Sequence, residues 1–279
     1  TGAPTQIGFS TTAPTLSAGV CSSAITFETR DSSGAAVYAT SGVQIQIYVA
    51  SGDSPTFYTA STCTGSSVTT FSFNGTESSK TFYMKSTKTG SYTITATKIS
   101  GTDTLTDGTL GYTVSAGSMS KLGIQMPGQT STFTGGQAGG SPSAQVAGTG
   151  FTITSLKALD AYDNIVTSYS GSKTITFSGP GVSPNSNAPS YTTTVSFTSG
   201  ASTTTLSTTL YKAESGITLT AVENGYYGSA TPTFSVSAAA LSAYTLALSG
   251  NTVTAGSCAN NTLDISAKDT YGNLRTLDT

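Results

Sequence analysis

Two residue types are missing from this 279-residue chain altogether: it has no His and no Trp. Without His, the commonest general base and the commonest metal ligand are both gone, so any catalytic reading would rest on carboxylates, Lys or Tyr. Charge is scarce as well. Charged residues make up 9% of the chain, against the roughly one quarter usual in soluble proteins. The net charge of −2 provides no basic field for nucleic acid or an anionic membrane. No apolar run approaches the ~18 residues that a bilayer span requires. No window holds a helical period of adequate length, and the density of Ser, Thr and Gly disfavours helices. The three Cys show no CxxC spacing, which argues against a structural zinc site. The chain opens at Thr1 with neither Met nor a charged-then-apolar leader. That reads as a processed product or a piece of something longer, and either suits a secreted protein.

What the chain does contain is short runs of Val, Ile, Phe and Tyr that alternate with polar residues. Such runs suit thin β layers. Ile7 with Phe9, Ile25 with Phe27, Val43 through Val49, and Tyr92 through Ala96 predict strands by their period of two. In the second half, Leu122 with Ile124, Phe151 through Asp160, Lys173 through Phe177, Val195 with Phe197, and Thr233 through Val236 do the same. Gly135 to Gly150 reads as loop or weak edge strand, and Gly179 to Pro189 as loop.

One phrase occurs three times: Asp31-Ser32-Ser33-Gly34-Ala35, Asp160-Ala161-Tyr162-Asp163-Asn164 and Asp269-Thr270-Tyr271-Gly272-Asn273. An Asp followed three residues later by Gly or Asp is a hairpin signal, because these residues tolerate the positive φ that tight turns demand. The motif Asp residues lie 129 and 109 residues apart, near the ~100 residues of an immunoglobulin-type sandwich. The expected organisation is therefore an all-β chain of tandem sandwiches: residues 1–116, residues 117–238, and the first strands of a third, incomplete repeat in 239–279. That third repeat would be truncated or completed by a partner.

Cys21 and Cys258 occupy the same repeat position, after Ala-Gly-Val and Ala-Gly-Ser. A Cys21–Cys63 pair within the first repeat would leave Cys258 unpaired in this chain, its partner lying beyond Thr279. The other reading is a set of unrelated buried thiols.

Several stretches together resemble the tandem immunoglobulin-like repeats of bacterial surface and secreted proteins. They are Ser120-Lys121-Leu122, Thr254-Ala255-Gly256, Asp269 to Asn273, and Thr89-Gly90-Ser91-Tyr92-Thr93-Ile94-Thr95-Ala96. Phe57 to Cys63 is similar to the version of the repeat in which this Cys pairs with one before the motif strand, which implies the Cys21–Cys63 disulfide. The resemblance covers essentially the whole chain. Asp163 departs from its pattern, standing where the motif has Gly, as do Ser33 and Ala35 where it has Tyr and Asn.

The resemblance implies an extracellular, bacterial, structural or adhesive protein that forms part of a surface fibre, stalk or layer. Its partners would be copies of itself or neighbouring repeats of a longer chain. The alternative is a polysaccharide-binding module using loop-tip tyrosines, with Tyr226 and Tyr227 after the Asn224-Gly225 turn as the contact candidates. No enzyme activity is expected, since no acidic pair falls in a distinctive motif. Ca²⁺ is the one cofactor to weigh, with Asp160, Asp163, Asn164, Asp269 and Asn273 as candidate ligands. Ca²⁺ takes six to eight oxygens, however, and each turn offers two or three side chains, so turn geometry is the preferred reading.

Overall fold

The computed structural model describes residues 2–249, 255–256 and 262–276. All regular structure among them is β, and it forms two compact units, Thr1–Ser118 and Met119–Thr279.

The first unit has nine strands: β1 (Gln6–Phe9), β2 (Thr15–Ser17), β3 (Ile25–Arg30), β4 (Gln44–Val49), β5 (Thr56–Tyr58), β6 (Thr70–Ser72), β7 (Ser79–Lys85), β8 (Gly90–Ser100) and β9 (Gly108–Ser115). One sheet runs β1-β3-β7-β5 and the other β2-β9-β8-β4-β6. Every pairing is antiparallel except β2 with β9, which is parallel in the register Thr15↔Thr113, Leu16↔Val114, Ser17↔Ser115. Alternation decides what each sheet buries. Ile25 and Phe27 of β3 and Phe82 and Met84 of β7 face inward. Ile45 and Ile47 of β4 and Ile94 and Ala96 of β8 complete the same core. Phe27 is its centre, meeting Phe71 edge-on at 5.4 Å between centroids, the geometry favoured by the ring quadrupole.

The second unit holds the second repeat and the described part of the third. Its largest sheet orders Lys121–Gln125, Ser155–Leu159, Ala201–Ser202, Thr194–Thr198 and Gly171–Thr174. Shorter sheets, among them Phe234–Ser237 between Gln145–Val146 and Glu214–Ile217, pack against it through Leu122, Ile124, Leu156, Phe197, Leu206 and Val236. Again one pairing is parallel, Gln145–Val146 with Val236–Ser237. The stretch Lys173 to Phe177, which alternates as one strand, divides at Ile175. Gly171–Thr174 joins the large sheet and Thr176–Ser178 pairs with Thr220–Glu223. Ile175 is buried at the corner, so the chain changes sheets around a core anchor. Gly135 to Gly150, read as loop, carries the short strands Gln137–Ala138 and Gln145–Val146.

The third repeat contributes an antiparallel ribbon of Leu241–Leu248 with Leu263–Asp269. Its register matches the other repeats. Ile7 and Phe9 lie opposite Thr29 and Phe27, Leu122 and Ile124 opposite Ala158 and Leu156, and Tyr244 and Leu246 opposite Ala267 and Ile265.

Candidate functional site

The three motif turns share one hydrogen-bond pattern, and the Asp is its hub. Asp160 Oδ1 accepts the backbone N–H groups of Tyr162 (2.8 Å) and Asn164 (2.9 Å), while Asn164 Nδ2 donates to Oδ2 at 2.9 Å. Asp269 repeats this with Tyr271 and Asn273, the two N–H bonds at 2.9 Å and the side-chain bond at 2.8 Å. Asp31 accepts from Ser33 N (2.9 Å) and Ala35 N (3.1 Å), with the Ser33 hydroxyl at 2.6 Å in place of an Asn amide. The fourth position takes positive φ each time: 87° at Gly34, 68° at Asp163 and 80° at Gly272. This is the three-residue hairpin in which a left-handed residue closes the loop.

The electrostatics follow from these donors. The Ser33 hydroxyl and then the Gly2 N–H pull the Asp31 carboxyl down to about 2. Burial alone would raise Asp269, but Asn273 and the Ala239 N–H outweigh it and hold its carboxyl below the usual range. Burial likewise opposes ionisation of Asp163, and Lys121 with the Gly135 and Gly136 N–H groups reverses that effect. Among the described residues no group of three or more His, Cys, Asp or Glu is placed to hold a metal ion. The candidate oxygens are engaged as acceptors of N–H donors, which a cation would have to displace.

The five candidate ligands do not converge on one point. Asp163 turns away from Asp160 and binds Lys121 Nζ at 2.7 Å, with Gly135 N at 2.7 Å and Gly136 N at 2.8 Å. That extra anchoring accounts for a non-glycine at positive φ, where a Cβ is costly.

Asn273 works outside its own turn. Its Oδ1 accepts Ala213 N at 2.8 Å and its Nδ2 donates to Tyr211 O at 2.8 Å. Asn185 N and Nδ2 donate to Tyr271 O and Thr270 O, both at 3.0 Å. The Tyr271 ring meets Tyr211 edge-on at 5.0 Å. Gly148 makes room for it, because a Cβ there would lie 2.0 Å from the Tyr271 hydroxyl. The third copy of the motif is thus a latch that fastens the third repeat to the second.

Cys21 and Cys63 form a disulfide with a Cα–Cα distance of 5.6 Å. Cys21 pairs with Lys85 at the end of β7 and Cys63 follows β5. The bond ties the approach to the motif strand to the loop between β5 and β6. Cys258 lies outside the described residues. Tyr226 sits in a short strand with Tyr227, paired to Val222–Glu223, and its side chain is exposed.

Two polar clusters have no counterpart in the sequence motifs. Asp53, buried, accepts from Ser86 Oγ (2.6 Å), Tyr112 OH (2.7 Å) and Ser54 N (2.8 Å). Burial, reinforced by Asp53, raises the Tyr112 phenol well above its ordinary value. In the second unit Gln129 spans its loop, accepting Met126 N at 2.9 Å and donating to Ala138 O at 2.9 Å. Both clusters satisfy backbone and side-chain groups that burial would otherwise strand.

No family model matches this chain, and no curated protein matches it either. Among solved structures, the D00–D0 domain of intimin is 11% identical over 83% of this chain and 98% of that one, with a TM-score of 0.37. Invasin, a bacterial integrin-binding protein, is 15% identical over 96% of this chain and 47% of that one, at 0.31. Domains 4 and 5 of the S-layer protein SbsC are 14% identical over 40% of this chain and 51% of that one, at 0.27. The matches to invasin and SbsC therefore span about half the length of each of those structures.

Proposed function

We propose that this chain is a stretch of an extracellular structural or adhesive protein, built from tandem β-sandwich repeats and displayed on a bacterial surface. Its task on this reading is spatial: it sets distance and orientation, and it associates with copies of itself or with adjacent repeats. The observation that carries the reading is the latch of the third motif, in which Tyr271 and Asn273 fasten one repeat to the next through bonds to Tyr211, Ala213 and Asn185. A joint made from the repeat's own signature turn is what a tandem scaffold requires, because each added repeat brings its own fastener. Low charge supports the reading, since close packing between repeats then desolvates few ions. The motif carboxylates serve the backbone in place of a cation, and the reading assigns no reaction centre to the chain. The test is location. Antibody raised against residues 1–118 should label intact, unpermeabilised cells that make the protein. Labelling that appears only after permeabilisation would overturn the reading.

A further inference from the structure

The third repeat presents a face that the other two repeats cover. At the positions two and four residues before the motif Asp, the first repeat has Thr29 and Phe27, and the second has Ala158 and Leu156, all fully buried. Their cross-strand partners Ile7, Leu122 and Ile124 are buried as well. In the third repeat Ala267 alone stays inside. Ile265 is 56% exposed, its partner Leu246 67% and Tyr244 55%, and the next pair, Leu248 with Leu263, 61% and 50%. Directly opposed residues share a face, so these five side chains form one apolar stripe. The reverse face carries Thr245, Ser266, Asp264 and Lys268. The ribbon is amphipathic, built like a core-facing layer on one side and like a surface on the other.

We infer that this stripe docks against the same stripe of a second copy of the chain, the two ribbons closing face to face as a small sandwich. The inference rests on the structural reading above. In both complete repeats the cover over the equivalent stripe is a β layer with alternating apolar residues, and the ribbon itself offers that chemistry. The face bears no charge, so pairing it with itself strands no ion. Five side chains at this exposure present on the order of 500 Å² per copy. Two copies would then bury about 1,000 Å², the lower bound for a specific interface. A two-fold arrangement makes one patch serve as both halves. A two-stranded ribbon is also marginal by itself in water, so burial supplies what it lacks.

The experiment is sedimentation of the whole chain over a wide concentration range. The 28.0-kDa chain should pass reversibly to twice that mass. Leu246→Asp and Ile265→Asp should each weaken association at least thirtyfold, the loss expected of a central interface residue. Thr245→Asp, on the reverse face, should leave it unchanged. A chain that stays monomeric throughout overturns the inference, because the stripe would then be open or covered by other strands. Dimers that survive both stripe variants overturn it as well, since the interface would lie elsewhere. Equal loss in Thr245→Asp points to general disruption of the ribbon and also counts against it. Hydrogen exchange on the unmodified chain guards against variants that misfold. Protection of residues 241–248 and 263–269 should rise with concentration, and concentration-independent exchange would defeat the proposal. Either result leaves the surface-labelling test standing, so the two readings can fail separately.

Discussion

Opening the Cys21–Cys63 bond should separate the two units thermally. The bonded residues are 42 apart in sequence. In the chain-entropy account, releasing a loop of that size returns ~4 kcal/mol of freedom to the unfolded chain. For a unit of about this size, each kcal/mol moves the midpoint by ~4 °C, so the first unit should melt ~15 °C lower. The core of Phe27, Phe82 and Met84 lies in the sheets and does not depend on the bond, which is why loosening is expected in place of collapse. Differential scanning calorimetry with and without reductant reads the change, and Cys21→Ser with Cys63→Ser should reproduce it. The first unit's transition can be identified with Met84→Ala, which removes a fully buried side chain and should lower that transition alone. If reductant leaves that transition in place, or moves both transitions equally, the assignment of the bond to first-unit stability is wrong.

Three further outcomes follow from the geometry. The buried Tyr191 hydroxyl has no hydrogen-bond partner while its ring stacks on Phe177 at 4.8 Å; Tyr191→Phe should therefore be neutral or up to ~1 kcal/mol more stable in urea titration. Asp31 has its carboxyl drawn down to about 2, so its contribution is complete above the unfolded value of ~4 and is lost as pH falls from there through about 2. Asp31→Asn should flatten that acid limb for the first unit, as followed by circular dichroism. Chelator or added Ca²⁺ should leave both thermal transitions unmoved, because the Asp160 and Asp269 oxygens already accept N–H donors. A calcium-dependent shift would reassign the motif turns.

Much of the architecture was legible in the chain because burial in a two-layer β fold writes itself as a period of two. In β9 the buried and exposed residues alternate without a break from Gly108 to Ser115. The period fails where the chain turns a corner. Lys173 to Phe177 alternates like one strand, yet Ile175 is where it leaves one sheet for another, and alternation does not record which sheet a residue faces. The motif turns were readable because their partners lie within four residues. Asp53 was not, since its partners Ser86 and Tyr112 lie 33 and 59 residues away and no local pattern couples them. Asp163 stood out as a departure from Gly, but what sustains it, Lys121 and the Gly135–Gly136 amides, comes from another loop. The latch was hidden for the same reason: Tyr271 and Asn273 look like ordinary turn residues until Tyr211 and Ala213 are beside them.

The parallel pairing of β2 with β9 has a mechanical consequence. These strands lie near the beginning and the end of the first unit, and a pull on the chain from both sides draws them in opposite directions along their common axis. Their hydrogen bonds, from Thr15↔Thr113 to Ser17↔Ser115, are then strained side by side and must rupture together. An antiparallel terminal pair pulled the same way would unzip one bond at a time. Gln145–Val146 against Val236–Ser237 places the second repeat under the same geometry, so tension along the chain meets a shear clamp in each complete repeat.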